Sequence, residues 1–198
     1  MILGLTGGIG CGKSSVLAAF EKIGFDVVDA DDLARALRDA PETVAFVRER
    51  FGFAAVSPET GKICNAALAK IIFNDASART ELENFMHPKL RVQWRSRSDE
   101  ARRAGKNAAV EIPLLFEKNY DVDFDATVCV AASERVQLRR LETRGLPRER
   151  ARERIAAQAP LDEKMRRADA VIFNDGSREF LDAQVRTVFK NFSRAGRA

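Results

Sequence analysis

Cysteine is scarce in this chain, and its spacing is unsuited to cross-linking. Cys11, Cys64 and Cys129 are an odd number without a C-x-x-C pair, which excludes a disulfide framework and a zinc site and fits a reducing compartment. No apolar run approaches the ~20 residues that a membrane-spanning helix requires. No basic segment with a cleavage site precedes the first apolar stretch. The expectation is a cytoplasmic protein with no membrane partner. Repeats and low-complexity tracts are also lacking. Tyrosine and tryptophan occur once each against 13 phenylalanines. The phenylalanines lie on apolar faces rather than between basic residues, so no base-stacking platform is expected.

Charge of one sign is not in large excess. The net charge of +4 divides into 10 Lys/Arg against 12 Asp/Glu over residues 1–90, and 23 against 17 over residues 91–198. In the basic half, acids interleave with bases, as in Glu149-Arg150-Ala151-Arg152-Glu153-Arg154. That is the pattern of a solvated helix face with i,i+4 pairing, and nucleic acid is not expected as a partner. At 198 residues, the chain is long enough to bury one full α/β core.

What the chain does have is Gly7-Gly8-Ile9-Gly10-Cys11-Gly12-Lys13-Ser14, a G-x-x-x-x-G-K-S phosphate loop. Met1–Thr6 ahead of it reads as a buried strand. Ser15–Gly24 behind it reads as a helix with Val16, Leu17, Phe20 and Ile23 on one face. Strand, glycine turn and helix N-terminus form an anion cradle in which backbone N–H groups and the helix dipole face the phosphates. Gly8, Ile9, Gly10, Cys11, Gly12, Lys13, Ser14 and Ser15 are therefore expected to bind a nucleoside triphosphate, which for a kinase is ATP. Lys13 supplies a cation for the β- and γ-phosphates, and the Ser14 hydroxyl is a ligand for Mg²⁺.

Further strands are predicted at 25–29, 107–112, 126–130 and 170–173, with helices at 31–38, 134–143, 148–159 and 179–192. The alternation implies a parallel sheet of five strands flanked by helices, with ligands at its C-terminal edge. From about 40 to 106 no strand-like run occurs; 41–51, 65–73 and 78–104 have helical periodicity, around a turn at 57–61. The strand ends carry polar residues: Asp29-Ala30-Asp31-Asp32, Glu111 before Pro113, and Asn174-Asp175-Gly176-Ser177. The guanine-reading N-K-x-D and the switch D-x-x-G of a GTPase are both absent. A small kinase fits what remains, as a single domain over 1–198 with a helical acceptor insertion over about 40–106. An arginine-rich lid over about 139–165 would exclude water.

Gly4–Ser14, Val28-Asp29-Ala30-Asp31, Ile72–Asp75, Met86-His87-Pro88, Ile112–Glu117, Gln137–Leu141 with Arg144, Arg154–Gln158 and Ala168–Ile172 occur in this order. Together they resemble the dephospho-CoA kinases, of P-loop kinase fold, from Met1 to about Val188. The resemblance implies transfer of the ATP γ-phosphate to the ribose 3′-hydroxyl of dephospho-CoA, the last step of coenzyme A synthesis. Four positions depart from the commonest family pattern: Cys11 for Ser, Ser15 for Thr, Glu111 for Asp and Ala159 for Met. The extra methylene of Glu111 moves its carboxylate by about one C–C bond length.

The resemblance also suggests roles. Asp31 is the base that accepts the 3′-hydroxyl proton and aligns that oxygen, with Lys13 and Arg140 as the other catalytic groups; Asp31 also suits a helix N-cap, and the two roles are compatible. Glu111 is either a carboxylate that reaches Mg²⁺ through water or a strand-end acid bonded to the loop Lys or Ser. Arg140 and Arg144 are expected to neutralise γ-phosphate charge, with Arg139 not distinguished from them. His87, Arg91 and Leu115 fall on the acceptor side, although a lone histidine also suits a local cap or core bond. Asn174 and Gly176 either border the adenine or form a plain turn. Phe46, Phe51, Phe53, Phe73 and Phe85 read mainly as core, with one or two lining a pantetheine groove. A monomer is favoured. A kinase for nucleoside monophosphates, shikimate or gluconate is the sister alternative, and an ATP-binding regulator without rapid chemistry is the alternative of another class.

Overall fold

The strand β1 (Ile2–Gly7) is buried at all six positions, as expected of a strand covered on both faces of a parallel sheet. A computed structural model describes residues 1–196; the last two residues of the domain expected over 1–198 lie outside the described residues. The other strands are β2 (Asp26–Asp29), β3 (Ala108–Glu111), β4 (Ala126–Ala131) and β5 (Ala170–Phe173). All neighbouring pairs are parallel, in the order β2-β3-β1-β4-β5. The predicted five-stranded sheet is the observed one. Its register sets Asp29 beside Glu111, and Glu111 beside Leu5. The acid of β3 thus lies next to the strand that feeds the phosphate loop.

Two compact units divide the chain. One comprises Met1–Asp29 and the chain from Arg97 onward. Its core joins Leu3, Leu5, Val128, Val130 and Ile172 of the sheet to Val16, Leu17 and Phe20 of α1 (Lys13–Lys22) and to Leu181, Val185 and Val188 of α9 (Arg178–Arg194). Burying each of these large side chains contributes about 1.5–3 kcal/mol, which is why the apolar face of each helix turns to the sheet. The helices α6 (Glu134–Thr143) and α7 (Arg148–Ala156) meet through Leu138, Leu141 and Ala151.

The other unit, Ala30–Ser96, holds α2 (Ala30–Arg38), α3 (Pro41–Phe51), α4 (Asn65–Asn74) and most of α5 (Ala76–Arg103). Val47, Ala55, Val56, Ile63 and Leu68 form its small core. Val56 and Ile63 make an isolated antiparallel bridge around the predicted turn. Phe46 stacks on Phe85 with centroids 4.0 Å apart and meets Phe51 edge-on. Of the five phenylalanines read as mainly core with one or two lining a groove, Phe53 and Phe73 are each 80% exposed and lie outside the core.

The helix expected over 148–159 instead ends at Ala156, and a second helix, α8 (Leu161–Arg167), begins after Pro160. Proline disfavours helical geometry in the residue before it and suits a helix start, so Pro160 divides the run.

Candidate active site

The sheet delivers the loop to its place through Gly7, whose φ of +146° carries it past β4. A β-carbon there would lie 2.2 Å from the Val130 carbonyl oxygen. Gly12, the N-cap of α1, has φ +84°, and a β-carbon on it would lie 2.2 Å from the Asn174 side-chain nitrogen. Only glycine satisfies both the turn and the close approach. Beyond it, the amides of Ser15 and Val16 bond back to the Gly12 carbonyl, while Lys13 opens the helix. The N-terminal end of α1 and its dipole make the loop an anion site. Ser14 is exposed on that turn and Ser15 is half-buried.

The carbonyl side of the loop is held from behind. The buried Asn174, just past β5, donates its amide to the Cys11 carbonyl at 2.8 Å. Arg140 donates to the Gly10 and Cys11 carbonyls at 3.2 and 3.0 Å, and to the Asn174 carbonyl at 2.7 Å. One planar guanidinium thereby ties the loop to the turn after β5. Arg139 and Arg144 are exposed, which separates them from Arg140. Helical spacing explains this, because Gln137, one turn before Arg140, packs its backbone against Gly10. Asn174 and Arg140, expected at the adenine and the γ-phosphate, therefore both bond to carbonyls of the loop itself. Gly176 lies exposed in the turn before α9.

The buried Glu111 ends β3 with its carboxylate 3.8 Å from the Lys13 ammonium, which also donates to the Gly8 carbonyl at 3.4 Å. The acid and base of the site thus share one short span, and the reading of Glu111 as a partner of the loop lysine has direct geometry. A hydroxyl and a carboxylate are hard oxygen donors suited to Mg²⁺. Among the described residues no group of three or more His, Cys, Asp or Glu could hold a metal by itself. By donor type, the Ser14 hydroxyl and the Glu111 carboxylate fit Mg²⁺.

Burial raises the Cys11 thiol pKa against the opposing charge of Lys13; the thiol stays protonated and the residue serves the loop through its backbone. At the rim, Asp175 accepts the Ser133 amide at 2.9 Å. Burial alone would raise the Asp175 carboxyl, but hydrogen bonds from Ser133 and the charges of Arg140 and Arg135 hold it below its usual value.

Leu115, expected to touch substrate, lies in the core. It is 0% exposed, and a β-carbon on Gly4 would lie 2.6 Å from its Cδ1. Its side chain packs under β1 and is not offered to a ligand. Asp31 lies in the first turn of α2, two residues past the end of β2, and is exposed. His87 is half-buried on α5, its Nε2 4.0 Å from Glu83, one turn before it. Arg91, one turn further, is also half-buried.

Two contacts beside the loop and the β3 end escaped the sequence reading. Gln158 accepts the Ile9 amide at 2.8 Å, between α7 and α8. Lys164 is 1% exposed, pairs with Glu117 at 2.6 Å and donates to the Pro113 carbonyl at 3.0 Å. Lysine ordinarily marks solvent, and only the Pro160 break signals that this residue sits on a separate helix.

The sequence profile of the dephospho-CoA kinase family matches residues 1–179. The chain is 46% identical over 188 residues to a dephospho-CoA kinase of Syntrophotalea carbinolica, covering 93% of this chain and 89% of that one. It is 39% identical over 195 residues to a dephospho-CoA kinase of Geobacillus kaustophilus, at 97% and 96% coverage. Among solved structures, it is similar to the dephospho-CoA kinase of Campylobacter jejuni, with a TM-score of 0.73, 27% identity and 98% coverage of both chains. Likeness to a shikimate kinase of Bacteroides thetaiotaomicron, with a TM-score of 0.50 and 16% identity over 98% of each chain, shares the fold alone.

Proposed function

Because the chain belongs to the dephospho-CoA kinase family, we propose that it transfers the γ-phosphate of ATP to the ribose 3′-hydroxyl of dephospho-CoA. CoA and ADP are the products, and this is the final step of coenzyme A synthesis. The observation that carries the reading is the phosphate loop with Lys13 and Glu111 at its mouth.

In this proposal the α1 amides and Lys13 take the β- and γ-phosphates. Ser14 and, through water, Glu111 hold Mg²⁺, which when bound offsets phosphate charge. Asp31 receives the 3′-hydroxyl proton as the ribose oxygen bonds to the γ-phosphorus and the bond to the β,γ-bridging oxygen breaks. Positioning and charge neutralisation dominate a loose phosphoryl transfer, so a carboxylate held beside the hydroxyl suffices. Arg140 and Arg144 are assigned to the ATP side, with Asn174 and Gly176 bordering its base. The three carbonyl contacts of Arg140 support a first duty in holding the loop. His87 and Arg91 are assigned to acceptor phosphates by residue type and by the family resemblance. A cytoplasmic monomer acting on these two substrates completes the proposal; three free cysteines support a reducing compartment.

The test is ADP release by purified protein with Mg·ATP and each of dephospho-CoA, AMP, CMP, shikimate and gluconate. Release with dephospho-CoA alone supports the proposal. Release with another acceptor assigns the protein to a sister reaction, and ATP binding without acceptor-dependent release favours a regulator.

A further inference from the structure

Lys164 has no part in the transfer described above, yet it is the one buried lysine or arginine among the described residues, at 1% exposure. A buried ammonium is costly unless it is matched. Here it is matched twice, by Glu117 at 2.6 Å and by the Pro113 carbonyl at 3.0 Å. The same carbonyl accepts from the Thr6 hydroxyl at 3.2 Å. Thr6 is the residue before Gly7, at the entrance to the phosphate loop, and Pro113 follows Glu111 by two residues. One oxygen therefore joins the loop strand, the acid strand and α8.

The segment is anchored at further points. Gln158 accepts the Ile9 amide of the loop at 2.8 Å. Arg167, one turn beyond Lys164, donates to the Phe116 carbonyl at 3.1 Å and lies over the Phe116 ring at 4.6 Å. The stretch 158–167 thus grips the phosphate loop at one end and the chain that follows Glu111 at the other. Lys13, four residues after Ile9, and Glu111, two before Pro113, are 3.8 Å apart.

We propose that 158–167 is a brace that sets the spacing of the phosphate loop and Glu111, with Lys164 as its positioning residue. Its effect on turnover rests on the kinase reading above; its effect on loop order does not. The competing account is that Lys164 and Glu117 only neutralise each other. The two accounts differ when both charges are removed, because the Pro113 carbonyl then still lacks its ammonium.

The experiment compares Lys164→Met, Lys164→Met with Glu117→Gln, Glu111→Gln, and Glu111→Gln with Lys164→Met. Thermal midpoint, kcat and KM with ATP and dephospho-CoA are measured, together with hydrogen–deuterium exchange over 5–12 and 111–118. Lys164→Met is expected to lower kcat at least about tenfold while KM for ATP changes less than about threefold. Adding Glu117→Gln restores the midpoint but not kcat. In the Glu111→Gln background, Lys164→Met costs less than about threefold further, since both changes act through one acid. Exchange rises in both peptides. The brace is overturned if the charge-free pair regains full kcat, if the losses with Glu111→Gln multiply, or if exchange rises only within α8. Should Lys164→Met fail to fold, the charge-free pair carries the same comparisons. A wild-type protein silent toward dephospho-CoA would sink the kinase reading, while the exchange data would still decide the brace.

Discussion

Arg140 and Arg139 are adjacent and chemically identical, so their difference comes from the helix that carries them. Arg140 holds three carbonyls of the loop and the β5 turn, whereas Arg139 faces solvent. Losing charge-assisted bonds costs about 1.5–3 kcal/mol, so Arg140→Met is expected to weaken ATP binding about tenfold or more. Arg139→Met should leave it unchanged. Calorimetric titration of both variants checks this, and equal losses would remove the distinction. Asp31 makes a second prediction at this scale: Asp31→Asn should retain ATP affinity and lose about a hundredfold or more of turnover. Wild-type turnover in that variant would take Asp31 out of the mechanism. The glycines, Lys13 and Ser14 were legible in sequence because their chemistry is tied to a fixed spacing. The bracing duty of Asn174 was not, because an Asn in a turn looks the same whether it faces solvent or donates inward. Leu115 was misplaced for a related reason: an apolar residue next to a site motif gives no sign of which side of the sheet it faces.

At the scale of elements, the strands were the easiest part to read, since apolar runs in a parallel sheet are short and continuous. The α7–α8 boundary was harder. Ala156, Ala157 and Ala159 are strong helix formers, and their propensity conceals the break that Pro160 enforces. With α8 unrecognised, Lys164 read as one more solvated lysine. The sheet edge makes a separate prediction. β5 is the terminal strand, and Gln184 of α9 both donates to and accepts from the Phe173 backbone, at 2.8 and 3.0 Å. That side chain occupies hydrogen-bonding groups to which another strand would otherwise add. Gln184→Ala should cost about 1–2 kcal/mol and make the protein associate as concentration rises. Thermal melts and light scattering would show this; an unchanged midpoint and a concentration-independent mass would refute the guard role.

For the molecule as a whole, the sheet sets its stability at alkaline pH as well as its site. Burial, followed by the neighbouring Cys11, pushes the Cys129 thiol up to about 12 from 9.0. Above pH about 9 the unfolded chain releases this proton and the folded one keeps it. Stability therefore falls as pH rises from about 9 toward 12, by up to about 1.4 kcal/mol per pH unit for this thiol. Denaturant melts of wild type and Cys129→Ala across that range check the slope, and parallel curves would contradict it. The fold as a whole was legible because strands alternate with helices around one phosphate loop. What remained hidden was the set of contacts between distant segments, such as Gln158 with Ile9 and Lys164 with Pro113. Neither residue type implies such a partner. The central claim concerns where one phosphoryl group goes. The most direct measurement incubates the protein with Mg·ATP labelled at the γ-phosphate and with dephospho-CoA, then locates the label by phosphorus NMR and mass spectrometry. Label at the 3′-position of CoA, equal in amount to ADP, is the predicted result. Label in inorganic phosphate, at another hydroxyl or only in unreacted ATP would contradict it.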